Sequence, residues 1–413
     1  MNKEVKKLKV GILGATGTVG QKFIVLLQNH PWFEITALAA SKESAGKTYE
    51  EAVAGRWKQE VDIPELIRKM KVLECDPKAF NSHGRVRMAG GAPFACCDFV
   101  FSGLDASVAG EIEKNFAKAG YPVISNTKNY RTEPDVPLLV PEVNADHIAI
   151  IPTQQARRKW KGYIVTNPNC VAVPLAMALK PVHQKFGVGK VLVTSMQAIS
   201  GAGYPGVASL DILDNVIPQI GGEEPKVEWE PLKLLGEIKK SGFNPHTKRG
   251  SLRALASYPR YGVGVKLANI KISAHCNRVP VKDGHFLTVS FSTRKPARLS
   301  EIKRIIKNFK GEPQKLKLPS APAQPLFYHE DGFRPQTRLD RDRGNGMTVS
   351  VGRLREDPIL GFKMVVLGHN TIRGAAGVAI LNAELLYKKG YLKLRVVSSD
   401  AIGRRADPAA SAS

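Results

Sequence analysis

Residues 8–40 constrain this chain more than any other stretch. Leu8-Lys9-Val10-Gly11-Ile12-Leu13 reads as a short buried strand that runs straight into Gly14-Ala15-Thr16-Gly17-Thr18-Val19-Gly20. An amphipathic helix over Gln21–Leu27 follows, then a second strand at Phe33–Ala40. Strand, glycine turn, helix and strand in that order form a βαβ unit, whose crossover obliges the two strands to be parallel. The glycines permit a tight turn, and the unpaired N–H groups of the helix start form a ready anion site suited to a pyrophosphate. Further strands at Asp98–Ser102, Val123–Ser125 and Leu138–Val140, with a helix over Val108–Ala119, continue the alternation. The N-terminal part is therefore expected to be a Rossmann-like doubly wound parallel sheet, and the fold class α/β.

After residue 170 the texture changes. Val188–Gln197, Leu267–Ser273, His285–Thr293 and Met347–Arg353 read as long strands rich in β-branched residues and separated by long segments. They predict an α+β catalytic and dimerisation domain built on a mixed, largely antiparallel sheet. Gln314–Pro325 and Arg334–Gly346 read as loops, and Thr371–Lys388 as a long helix apolar on one face. The expected division is a nucleotide-binding domain over 1–168, with a helix at about 371–390 returning to it, and a second domain over 169–370. A disordered tail is expected over 396–413, and part of the insertion 81–95 reads the same way.

Composition narrows the class. No window approaches the roughly 18 consecutive apolar residues of a membrane span. The N-terminus Met1–Lys9 is charged and carries no apolar signal core, so a cytoplasmic protein is expected. The five cysteines (Cys75, Cys96, Cys97, Cys170, Cys276) lack metal-site spacing, so neither a metal site nor a disulfide framework is indicated. The formal charge of +24 is spread along the chain, densest at 239–266 and 295–310. No nucleic-acid-binding pattern accompanies it, and anionic substrates account for some of it.

Two local patterns speak to chemistry. At the end of the second strand, Ala39-Ala40-Ser41-Lys42 offers a hydroxyl and a cation where an NAD-binding unit places an acidic residue, which favours NADP; Lys42 reads equally well as a solvated loop residue. Thr166-Asn167-Pro168-Asn169-Cys170 sets a cysteine at a strand-to-helix junction, ahead of the apolar run Val171–Lys180. A thiol there feels the positive end of the helix dipole, which lowers its pKa and favours the thiolate. The plainer alternative is a buried structural cysteine.

These residues, together with Gln197-Ala198-Ile199-Ser200-Gly201-Ala202-Gly203, Cys276-Asn277-Arg278-Val279-Pro280-Val281, Asp283-Gly284-His285 and Asn370-Thr371-Ile372-Arg373-Gly374-Ala375-Ala376-Gly377, carry a resemblance. In this order the chain resembles the aspartate-β-semialdehyde dehydrogenase family, in its archaeal/fungal-type branch. The resemblance implies NADP as cofactor, inorganic phosphate as co-substrate, a cysteine thioester, and a homodimer or homotetramer joined through the second domain. It implies Cys170 as nucleophile, His285 as general acid/base and Gln197 beside the thioester. Arg278 would grip the substrate carboxylate and Glu230 its ammonium, Lys233 and Arg131 the phosphate, with Asn169 shaping the turn. Gly14, Ala15, Thr16, Gly17, Thr18, Val19, Ser41 and Lys42 would hold the dinucleotide, with Ser200, Gly201, Asn370 and Thr371 on its nicotinamide side. Pro231 sits oddly between Glu230 and Lys233, being tolerated only in a helix's first turn. His275 competes with His285 but falls outside the motif. Arg278 and His285 are an odd seven residues apart, so they face one pocket only if Lys282-Asp283-Gly284 turns the chain. A malonyl-CoA or succinyl-CoA reductase of the same fold is the nearest alternative, with N-acetylglutamyl-phosphate reductase more distant. A silent NADP-binding or RNA-binding protein is the alternative from another class.

Overall fold

A computed structural model describes residues 6–83, 97–238 and 264–395. The insertion over 84–95, Cys96, the basic segment 239–263 and the tail 396–413 lie outside the described residues.

The first sheet is all parallel. Its strands are β1 (Leu8–Leu13), β2 (Phe33–Ala40), β3 (Val72–Glu74), β4 (Phe99–Ser102), β5 (Pro122–Ser125) and β6 (Tyr163–Thr166), in the order β3-β2-β1-β4-β5-β6. The order reverses at β1/β4, where an open α/β sheet leaves a crevice at its carboxyl edge. The helix Thr18–Leu27 buries Phe23, Ile24 and Leu27, and Phe23 stacks on Phe101 of β4 at 4.5 Å. The C-terminal helix Gly377–Lys388 shares this core, and its buried Glu384 pairs with His30 at 2.9 Å.

The second sheet is mixed. It comprises β7 (Val188–Gln197), β10 (Lys271–Arg278), β11 (His285–Thr293), β12 (Leu326–His329), β13 (Val349–Asp357) and β14 (Gly361–Gly368), in the order β10-β7-β11-β14-β13-β12. The two outer pairs are parallel and the three inner ones antiparallel. A two-stranded ribbon of β8 (Glu237–Ile238) and β9 (Val265–Lys266) lies apart. The helix Ala172–Phe186 is apolar nearly all round and is correspondingly buried, covering one face of this sheet. On the other face Lys190, Leu192 and Thr288 are exposed. No described helix is long and apolar enough to cross a membrane.

Several boundaries differ from the sequence reading. Leu138–Val140 is not a strand: Leu138 forms a single parallel bridge to Thr166, and the sixth strand is Tyr163–Thr166. The strand expected at 267–273 lies at Lys271–Arg278, and that at 347–353 extends to Asp357. β3, β12 and β14 were not foreseen, and the two expected loops hold the short helices Glu312–Leu316 and Thr337–Asp340. The helix expected from Thr371 opens with a π-turn at Ile372–Ala376.

Candidate active site

The glycine loop is shaped by what cannot fit beside it. Gly14 has φ +75°, and a Cβ there would lie 2.7 Å from the Gly103 carbonyl oxygen; a Cβ on Gly20 would strike the Gly14 carbonyl. Ala15 is buried, and Tyr49 donates its hydroxyl to the Ala15 carbonyl at 2.9 Å, a prop that no local motif announces. Gln21 donates to the Thr16 carbonyl. Gly17 caps the helix without a side chain, so no side-chain cap occupies the helix start. The loop thus fits a dinucleotide pyrophosphate. Thr18 and Val19 line a cavity of about 480 Å³ that also touches Cys170, Ser200, Gly201, Asn370 and Thr371. Asn370 holds two of its walls together, donating to Ser200 Oγ at 2.8 Å and accepting from the Gly284 N–H. Ser41 and Lys42 are exposed just past β2, away from that cavity.

Cys170 stands between β6 and the helix Ala172–Phe186. Its Sγ is 3.1 Å from His285 Nε2. His285 opens β11 and Arg278 closes β10, with β7 between them in the sheet. The chain crosses the end of β7 through a turn in which Gly284 has φ +98°, so both side chains converge on Ala198. Arg278 Nη1 donates to the Ala198 carbonyl at 2.7 Å, and the Ala198 N–H donates to His285 Nδ1 at 3.1 Å. His275 is exposed on the far face of β10. Gln197 is buried and turned toward Ser195.

The electrostatics reverse one expectation. Burial pushes the Cys170 thiol up to about 12, with Glu223 adding to the rise. That burial outweighs the helix start behind Cys170, where the Asn169 side-chain oxygen accepts the N–H groups of Val171 at 2.8 Å and Ala172 at 3.3 Å. Burial, then Arg278 and His369, holds His285 down to about 3.

The charged residues around the turn separate into two sets. Glu230 is buried with both oxygens engaged, by Arg131 Nη1 at 2.9 Å and by the backbone N–H of Asn169. Lys233 is buried and donates to three carbonyls, of Arg131, Glu133 and Val136. Arg131 also donates to the Asn126 carbonyl. These three side chains tie the helix Glu224–Leu234 to the 126–136 loop; like Glu223, Lys226 and Arg278, they stand behind the cavity wall rather than lining it. Pro231 lies in the interior of that helix, not its first turn. Glu223, which sequence reasoning passed over, accepts the Asn169 side-chain amide at 2.6 Å and Lys226 Nζ at 3.0 Å, and its charge acts on both Cys170 and Arg278.

A parallel sheet with a glycine-loop cavity, a cysteine at the end of that sheet and a histidine brought against it by the second sheet define a nucleotide-dependent oxidoreductase. The family model "Semialdehyde dehydrogenase, NAD binding domain" matches residues 9–151, and "Semialdehyde dehydrogenase, dimerisation domain" matches 179–256 and 261–373. Aspartate-semialdehyde dehydrogenase of Schizosaccharomyces pombe is 48% identical over 389 residues, covering 93% of this chain and 99% of its own. That of Archaeoglobus fulgidus is 45% identical over 383 residues, covering 93% and 99%. The crystal structure of the Candida albicans aspartate-semialdehyde dehydrogenase with NADP superposes with a TM-score of 0.78 at 44% identity, covering 94% of this chain and all of that one. The chain belongs to the aspartate-semialdehyde dehydrogenase family.

Proposed function

We propose that this chain is an NADP-dependent aspartate-semialdehyde dehydrogenase in which Cys170 carries the acyl group as a thioester. It reduces L-aspartyl 4-phosphate to the semialdehyde, a step toward lysine, threonine, methionine and isoleucine. The observation that carries the reading is the Cys170–His285 contact at 3.1 Å, with Cys170 itself at the wall of the glycine-loop cavity. When bound at the glycine loop, the dinucleotide would supply the hydride as NADPH for this reduction, or accept it as NADP+ in the reverse direction. The chain's own residues do the rest. Cys170 attacks the acyl phosphate, its proton leaving with the phosphate, and a thioester is reactive enough to be both made and broken. His285 faces the sulfur and, as general acid/base, relays that proton and the one exchanged with the substrate oxygen. Arg278 presents a planar fork to the substrate carboxylate. Glu223, whose present partners are two movable side-chain donors, receives the substrate ammonium, and Lys226 beside it meets phosphate. Glu230, Lys233 and Arg131 hold the frame on which Asn169 and Cys170 sit.

The test is NADP reduction with aspartate semialdehyde, with and without phosphate, beside malonyl-CoA in the reverse direction. Phosphate-dependent turnover that falls by at least about 10³-fold in Cys170→Ser is expected. Turnover of the CoA thioester alone overturns the substrate assignment, and full activity in Cys170→Ser overturns the nucleophile.

A further inference from the structure

The segment 53–64, between the short helices Tyr49–Ala52 and Glu65–Arg68, belongs to the first domain but reaches the second. Gln21 ties it to the glycine loop. The Gln21 side-chain amide donates to the carbonyls of Thr16 and Arg56, both at 2.9 Å, and its oxygen accepts the Lys58 N–H at 2.8 Å. Trp57 braces the turn beyond, donating its ring N–H to the Val61 carbonyl at 2.7 Å and meeting Tyr49 edge-on. The next residues touch the opposite wall of the cavity, to which Tyr204 and Lys282 belong. The Lys58 ammonium stands 4.7 Å from the centre of the Tyr204 ring, and Glu60 pairs with Lys282.

Gln59 stands between those two contacts and lines the same cavity as Val19, Cys170 and Gly201. Its side-chain oxygen is buried and has no hydrogen-bond partner among the described residues. An acceptor taken out of water without a partner is costly, so the folded chain alone does not satisfy this amide. The residue is only half-buried and the last torsion of a glutamine is soft, so a turn of the amide brings the oxygen to the cavity. The contacts on either side hold the backbone while it does so.

A carbonyl-type oxygen can only accept, so the partner it calls for is a donor. Its place in the cavity selects the nicotinamide half of the dinucleotide. Pyrophosphate belongs at the glycine loop and hydride exchange at Cys170, so the nicotinamide nucleoside spans the interval in which Gln59 lies. Ser41 and Lys42, on the adenosine side, do not line this cavity. The other amide on its wall, Asn370, already has both ends engaged, by Ser200 Oγ and the Gly284 N–H. We infer that Gln59 is a further cofactor-binding residue, whose side-chain oxygen accepts a hydrogen bond from the nicotinamide nucleoside of NADP, through either the carboxamide N–H or a ribose hydroxyl. This rests on the reading of the cavity as the dinucleotide site.

The test is equilibrium binding to the full-length protein, by titration calorimetry, with three ligands. They are NADP, 2′,5′-ADP, which lacks the nicotinamide nucleoside, and the 3-acetylpyridine analogue of NADP, in which a methyl group replaces the carboxamide nitrogen. Gln59→Leu keeps the bulk of the side chain and removes the acceptor. It should bind NADP about 5-fold or more weakly than the parent, with 2′,5′-ADP held within about 2-fold. An analogue affinity that the substitution leaves unchanged identifies the carboxamide as the donor; one that falls as NADP does identifies a ribose hydroxyl. Unaltered NADP affinity in Gln59→Leu overturns the inference. So does an equal loss for NADP and 2′,5′-ADP, which would make the segment a support of the glycine loop and nothing more. Calorimetry needs neither substrate nor turnover: a parent chain that binds neither NADP nor 2′,5′-ADP overturns the dinucleotide site itself, whereas the variant speaks only to Gln59.

Discussion

Asn169 shows how finely one residue divides the chemistry around it. Its backbone N–H goes to Glu230, its side-chain amide to Glu223, and its side-chain oxygen caps the helix that follows Cys170. The two glutamates therefore sit on either side of the same residue with different consequences. Glu230 neutralises the buried Arg131, and removing one partner of such a pair leaves an uncompensated charge. Glu230→Gln should lower stability by about 3–5 kcal/mol, read as a fall in denaturation midpoint, with kcat/KM suffering through the displaced turn. Glu223→Gln should leave the midpoint within about 0.5 kcal/mol and raise the KM for the semialdehyde about 10-fold, the loss of one charged contact to the ammonium. Equal destabilisation by the two, or an unaltered KM in Glu223→Gln, would remove Glu223 from the substrate. Sequence spacing could not make this choice. Glu223/Lys226 and Glu230/Lys233 share the same three-residue interval and lie seven residues apart, two helical turns on the same face. Only the tertiary partners distinguish them, since both glutamates meet Asn169 but Glu230 is also tied to the buried Arg131 and Glu223 to the half-buried Lys226.

At the scale of elements, what was legible was whatever repeats locally. β1, the glycine loop and β2 announce themselves because a buried strand, a positive-φ glycine and an amphipathic helix are each written within a few residues. β7 and β11 were equally plain as long β-branched runs. β3 and β6 are only three and four residues long, and β6 competed with Leu138–Val140, which lies beside it in space and bridges to it. The fate of the Cys170 thiol depends on burial by segments more than a hundred residues away, which no local pattern carries. The π-turn Ile372–Ala376 is another such case, since its purpose appears only in three dimensions: Arg373 is fully buried against Glu142, and a Cβ on Gly374 would lie 2.7 Å from Cys170 Cβ. π-turns recur at functional sites because they bring backbone to a place a regular helix would miss. Gly374→Ala should press on Cys170 directly. We expect kcat to fall by about 10²-fold, with NADP affinity, followed by quenching of protein fluorescence, within about 3-fold of the parent. An unchanged kcat would mean that the turn supports the helix and nothing more.

For the whole molecule, stability and assembly follow from groups remote from the cavity. Glu113, on the helix Ala106–Lys118, is fully buried against Ser125 and Thr127, and burial lifts it to about 7. A carboxyl that holds its proton more tightly folded than unfolded favours the folded state at low pH, below about 4.5, and that advantage is lost as pH rises through about 7. Glu113→Gln should therefore flatten the decline of melting temperature between about pH 5 and about pH 8 relative to the parent, and a parallel decline in both proteins would show that Glu113 does not titrate in that range. Assembly is expected to use the face of the second sheet that the described residues leave exposed. Val191 and Val193 point into the core, so the alternation of a strand sends Lys190, Leu192 and Thr194 to the opposite side, where Leu192 is 49% exposed. An apolar side chain midway along a strand on an exposed sheet face, within a segment matched by a dimerisation-domain model, fits a partner surface made by a second copy of the same chain. Around a two-fold axis a new charge meets its own image as well as the neighbouring Lys190. Leu192→Lys should therefore convert a species of at least twice the 45.0 kDa chain mass into the single chain in sedimentation velocity. A variant that sediments with the parent would place the contact on another face.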